Sequence, residues 1–149
     1  MPNSQCIFCT ISKNSENLVY EDKHTVAFMD IKPATPGHSL VIPKQHFATF
    51  LDTTPEIVGF VNSTAHKIAT QLQTLIPEIK GFNILTNNGS EAYQEVFHYH
   101  VHIIPKYNKE KGLILTHTTE DIKLENIDTI KQSLKTKFMK LRRKIKWKI

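Results

Sequence analysis

The chain has 149 residues, 40% of them apolar and 22% charged, which is ordinary globular composition for one domain able to build its own core. No run approaches the roughly 20 apolar residues of a membrane-spanning helix, and residues 1–5 lack the basic-then-apolar order of a signal peptide, so the expected compartment is the cytoplasm. The net charge of +5 is unevenly placed: nine Lys and Arg and no acid lie from Lys131 onward, against ten basic and fourteen acidic residues before it.

In chain order, residues 6–12 suit a short helical turn, and residues 18–21 and 25–29 suit two short strands with a turn between them. Lys32-Pro33-Ala34-Thr35-Pro36-Gly37 is loop chemistry, followed by a strand over 38–42 that Pro43 ends. The strongest helix signal covers residues 55–76. Thr53 with Glu56 fits a capping box, Pro55 suits the first turn, and Ile57, Val61, Ala65, Ile68, Leu72 and Leu75 form an apolar stripe. A strand over 82–86, the turn Asn87-Asn88-Gly89 and a long strand over 96–104 follow. Residues 120–149 read as a helix, with Leu124, Ile127, Ile130, Leu134, Phe138, Leu141 and Ile145 in period and a basic C-terminal end. Strands on both sides of one long helix predict an α+β fold with an antiparallel sheet, organised as a domain over 1–110 and a helical, strongly basic extension over 111–149.

The segment His98-Tyr99-His100-Val101-His102 carries the chemistry. On an extended strand, alternate side chains share a face at intervals of roughly 6.6 Å, so the three imidazoles face one way while Phe97, Tyr99, Val101 and Ile103 face a core. Solvated strand faces ordinarily carry Lys, Thr or Glu. A neutral imidazole with one nitrogen pinned as donor is a nucleophile, and its neighbours can stabilise a phosphate. Three explanations stay open on these residues alone: covalent phosphate chemistry, a three-histidine metal site, and coincidental surface histidines.

These residues resemble the histidine triad (HIT) hydrolases and transferases. His98-Tyr99-His100-Val101-His102-Ile103-Ile104 fits the family's alternating histidines. Cys6-Ile7-Phe8-Cys9, Phe28-Met29-Asp30-Ile31 and Pro36-Gly37-His38-Ser39-Leu40-Val41-Ile42-Pro43-Lys44 match in order, then His46, Asn87, Gly89 and Gln94, so that about residues 5–107 are covered. The resemblance implies a HIT-like fold with a five-stranded antiparallel sheet, one long helix and a C-terminal helix. It implies that His100 attacks the α-phosphate of a nucleoside 5'-phosphoramidate, an adenylylated amine or a similar nucleotide, and that water then releases the nucleotide from a nucleotidyl-histidine. The carbonyl of His98 would hold the far nitrogen of His100. His102 and His38 would contact the phosphate, with Asn87 and Gln94 nearby, and Asp30 and Ile31 would lie at the ribose and base. A purine substrate, adenosine-containing, a homodimer with a continuous sheet, and no catalytic cofactor complete the implication.

Departures from the family pattern bear on the leaving group. Glu95 stands where Ser or Thr is common, Tyr93 where Gly is common, and Lys106 where Arg is frequent. A dinucleoside polyphosphate hydrolase therefore stays an alternative, as does a nucleotide-sensing interaction module with incidental turnover.

Cys6-x-x-Cys9 has the spacing of half a tetrahedral zinc site; redox motifs share it, though without the βαβ context here, and a pair of reduced thiols is the third reading. The resemblance points to His46 and His98 as further ligands of a structural zinc. A zinc redox protein is the corresponding alternative function. The basic extension suits a helix with a solvated cationic face, an anionic membrane surface or nucleic acid.

Overall fold

The computed structural model describes residues 6–117 and 123–145. The chain divides into two compact units, Met1–Ile114 and Leu115–Ile149. The first contains helix α1 (Ile7–Ile11), strands β1 (Leu18–Glu21), β2 (Thr25–Met29) and β3 (Ser39–Pro43), helix α2 (Pro55–Leu75), and strands β4 (Gly81–Leu85) and β5 (Val101–Lys106). The five strands form one sheet in the order β1-β2-β3-β5-β4, antiparallel throughout. The fold is α+β, as the pattern of elements predicts.

Period-two alternation sorts the sheet into two faces. Ala27, Val41, Val101 and Ile103 pack with Val61, Ala65 and Ala69 of α2 and with Tyr99. Val26, Phe28, Leu40 and Ile42 point the other way, onto Phe8 of α1. In the ladder Phe28 stands opposite Leu40 and Leu40 opposite His102. Continuing the alternation, Asp30, His38, His100 and His102 belong to the face opposite α2. The amide of Asp30 donates to the carbonyl of His38 (3.0 Å), which carries the β2–β3 pairing one step past the strand ends.

Three expectations are corrected. The cap of α2 is Thr54, whose side chain accepts from the amide of Ile57, whereas the hydroxyl of Thr53 donates to the Thr49 carbonyl. Leu75 leaves the apolar stripe and is exposed, at the last residue of the helix. The long strand expected over 96–104 begins only at Val101. Pro43 has no amide to donate, and the ladder between β3 and β5 stops at Val41 opposite Val101. Before that point the chain leaves the sheet. The amide of Tyr99 donates to the Phe47 carbonyl (2.7 Å), Tyr99 stays in the core, and Phe97, expected there, is exposed.

In the second unit, α3 spans Leu124–Ile145. Ile127, Ile130, Leu134, Phe138 and Leu141 recur along it, and each is exposed. Glu120, Asp121 and Trp147, part of the expected helix, lie outside the described residues.

Candidate active site and metal centre

Backbone groups decide which nitrogen of each site imidazole carries a proton. Nδ1 of His100 lies 2.6 Å from the carbonyl oxygen of His98 and can only donate to it. Nε2 of His100 therefore holds a lone pair. That atom makes no hydrogen bond, and among the described residues no buried side-chain nitrogen or oxygen lacks a partner, so it reaches solvent although the residue is 95% buried. Burial holds the His100 ring below the ordinary imidazole pKa, against the pull of its bond to His98 and the charge of Asp30. The ring is neutral at pH 7 and sits edge-on to Phe8 and to His102, with centroids 5.2 and 4.9 Å away.

His38 and His102 form a second unit. The amide of Ala34 donates to Nδ1 of His38 (3.1 Å), which leaves the His38 proton on Nε2. Nε2 lies 3.0 Å from Nδ1 of His102 and 3.5 Å from Oδ2 of Asp30. With Nδ1 accepting, His102 carries its own proton on Nε2. The chain of donors thus runs from Ala34 through His38 to the Nε2–H of His102, whose ring centroid lies 4.9 Å from that of His100. Burial first, then the neighbouring His100 and His38, lowers the His102 pKa to about 4.

His98 stands apart, and this corrects the expectation that all three imidazoles converge on one phosphate. Its Nε2 donates to the Pro43 carbonyl (2.9 Å), so Nδ1 carries the lone pair. Nδ1 faces the sulfurs of Cys6 and Cys9, each 3.5 Å away, while Nδ1 of His46 lies 3.4 Å from the Cys9 sulfur. One ligand-type atom from each of Cys6, Cys9, His46 and His98 falls within 4.8 Å of the other three. Tetrahedral zinc, with Zn–S of about 2.3 Å and Zn–N of about 2.0 Å, sets sulfur and nitrogen about 3.5 Å apart. The donor set and its spacing fit that metal.

The remaining candidates are placed as follows. Asp30 also accepts from the amide of Lys32 (2.8 Å), and Ile31 is 91% exposed. The side-chain amide of Asn87 donates to the Tyr93 carbonyl. Gln94 is buried; its oxygen accepts from the Gly89 amide and its nitrogen donates to the carbonyls of Ala48 and Val96, so it holds the 89–96 loop together. Tyr93, in the left-handed region at φ 63°, is exposed. Nζ of Lys106 donates to the carbonyls of Lys111 and Leu113, a use that needs a single cation and no planar fork.

Sequence reasoning missed two supports. The hydroxyl of Thr86 donates to the His100 carbonyl (2.6 Å), and that of Thr35 to the Pro105 carbonyl (2.6 Å). Neither has a sequence signal, because each partner is a backbone oxygen supplied by a distant segment.

Comparison with known proteins gives the family and the fold. Residues 12–109 match the HIT domain. An adenosine 5'-monophosphoramidase of Saccharomyces cerevisiae is 34% identical over 138 residues, covering 91% of this chain and 84% of its own. A HIT family protein from Bacillus anthracis superposes with a TM-score of 0.81 at 38% identity, covering 90% of this chain and 97% of its own. A zinc-bound histidine triad family protein from Mycobacterium smegmatis superposes with a TM-score of 0.68 at 35% identity, covering 77% and 84%.

Proposed function

The chain belongs to the HIT-domain family, and we propose that it is a nucleotide hydrolase cleaving nucleoside 5'-phosphoramidates, adenylylated amines above all, through a nucleotidyl intermediate on His100. The observation that carries this reading is the His100 ring. The His98 carbonyl pins its Nδ1 proton, and its Nε2 lone pair opens to solvent, with the His102 ring 4.9 Å away between centroids. The yeast relative supports the leaving-group class through the activity it is named for.

In the first half-reaction Nε2 of His100 bonds to the α-phosphorus. The P–N bond breaks, and its electron pair leaves with the nitrogen, which gains a proton. The Nδ1–H bond to the His98 carbonyl stabilises the positive ring that results. Water then attacks phosphorus from the open side, the nucleoside monophosphate departs, and the electron pair returns to His100. Brief incubation with adenosine 5'-phosphoramidate followed by mass spectrometry tests this. An adenylyl group on His100 is expected; an adduct elsewhere, or turnover by His100→Ala at the wild-type rate, overturns the assignment.

The same reading places a structural zinc on Cys6, Cys9, His46 and His98. It supports the enzyme mechanically, since its ligand His98 supplies the carbonyl that orients His100. Four protein ligands leave no open position, so the metal's contribution is to fix the fold there.

Assembly follows from strand β4. It is an edge of the sheet, its sequence Gly81-Phe82-Asn83-Ile84-Leu85 carries no charge, and Ile84 is half exposed. An uncharged edge is an open template for another strand, and a homodimer pairing β4 with β4 would extend the sheet. Sedimentation at twice the chain mass is expected.

A further inference from the structure

Helix α3 carries an apolar stripe in open solvent. Ile127, Ile130, Leu134, Phe138 and Leu141 recur at spacings of three and four, and their exposure runs from 46% to 63%. At about 100° per residue, all five lie within about 40° of Leu134 around the helix axis. An apolar strip of this kind calls for an occupant.

The charges are sorted about the stripe. Lys131 and Lys137, three residues before and after Leu134, flank it at about 60° on either side, and Lys135 stands about 100° away. The two acids of the helix are turned off it, Asp128 by about 120° and Glu125 by about 180°. Thr129, Gln132, Ser133 and Thr136 complete the far face. Lys131 reaches Asp128 at 3.4 Å, an exposed pair of the kind that holds a side chain weakly. Lys135, Lys137 and Lys140 make no ion pair among the described residues.

This pattern discriminates between occupants. The segment Leu124–Ile145 holds seven Lys and Arg against two acids, a net of +5. A second α3 brings the same positive charge and repels the first. Residues 1–117 hold nine Lys against ten acids, so the body of a second copy is close to neutral and offers no counterpart. Nucleic acid takes the cations but leaves the apolar stripe in water. An anionic lipid surface satisfies both. The stripe enters the boundary between headgroups and acyl chains, while the flanking lysines keep their stems on the apolar side and their ammonium groups among the lipid phosphates and carboxylates. Among the described residues no helix is long and apolar enough to cross a membrane, so α3 would lie in the plane of the surface.

We propose that α3 is an interfacial helix that docks the protein on an anionic lipid surface, with Leu134 and Phe138 at the centre of the inserted stripe and Lys131, Lys135 and Lys137 at its charged margins.

Co-sedimentation of the full chain with lipid vesicles tests this. One set is phosphatidylcholine alone, and the other replaces about one third of it with phosphatidylserine. Wild type should pellet with the anionic set at least tenfold more tightly than with the neutral set, and the preference should shrink between about 0.1 M and 1 M salt, as the screening length falls from about 10 Å to about 3 Å. Lys135→Gln with Lys137→Gln should weaken anionic binding about 25-fold, or about fivefold per lysine. Leu134→Gln with Phe138→Gln leaves the charge unchanged and should still weaken it by about tenfold or more. Circular dichroism confirms that both variants keep their helicity. Wild type that ignores the anionic vesicles, or binds both sets equally, overturns the proposal without any variant. Undiminished binding by the apolar variant also overturns it, assigning the helix to a ligand that reads charge alone; a parallel titration with single-stranded RNA identifies that case. If wild type ignores vesicles and the apolar variant sediments at half the wild-type mass, the stripe belongs to a second copy instead.

Discussion

The carbonyl oxygen of His98 accepts a hydrogen bond from Nδ1 of His100 at 2.6 Å, while the ring of the same His98 is held between the Pro43 carbonyl and two cysteine sulfurs. One residue thus joins a metal-type cluster to the proposed nucleophile. The linkage is rigid, because Phe8 packs edge-on against both rings. Displacing His98 would move the carbonyl and release the His100 ring to its other tautomer.

Replacing His100 by Ala should lower turnover of adenosine 5'-phosphoramidate by roughly 10⁴-fold while leaving the fold intact, since the nucleophile acts as a unit with its neighbours. Thr86→Val removes the donor to the His100 carbonyl and should cost about 1 kcal/mol of stability. Steady-state rates and denaturant titration of the two variants separate the chemical loss from the structural one.

Cys9→Ser should reduce zinc, counted by atomic emission, from one per chain to near zero. Loss of such a centre is among the large single-site effects, and a cost of about 3 kcal/mol lowers the melting midpoint by roughly 6–12 °C for a chain of this size. Turnover should fall with it through the His98 carbonyl. Wild-type protein purified without zinc, yet fully stable and active, would contradict the metal assignment.

Acid should destabilise the fold above pH 4. The folded His102 ring does not protonate until about pH 4, whereas its unfolded counterpart protonates near 6.5. Between these values the unfolded chain binds more protons, so stability is full above about pH 6.5 and declines as pH falls toward 4. His38, lowered by burial in the same way, adds to the slope. Melting midpoints from pH 8 to 4.5 measure it, and His102→Asn should flatten the curve.

Two glycines should respond oppositely to alanine. Gly112, at φ 79°, has Thr35 against the position of a Cβ and the Ala34 carbonyl 3.2 Å from it. Gly112→Ala should destabilise by about 1–3 kcal/mol and lower turnover, because Ala34 and Thr35 hold the loop that orients His38. Gly59 lies inside α2 with nothing within 4 Å, and Gly59→Ala should stabilise by about 0.5–1 kcal/mol. Thermal melts of the pair provide the comparison.

The amino-acid sequence by itself determined the elements whose signal is periodic and local. The strands over 18–21 and 25–29, the long helix with its apolar stripe, the α+β class and the cluster of chemistry at 98–102 were all legible, because spacing of two or 3.6 residues is written along the chain. Only the tertiary structure decided where β5 begins, since a strand ends where its neighbour's ladder ends, and Pro43 lies more than fifty residues from His98. It also decided which way each imidazole is protonated. That choice belongs to the Pro43 carbonyl, the Ala34 amide and the His98 carbonyl. These are backbone groups identical in every residue type that could stand there, so they leave no mark in the sequence and act only once folding brings them within 3 Å or so of a ring nitrogen.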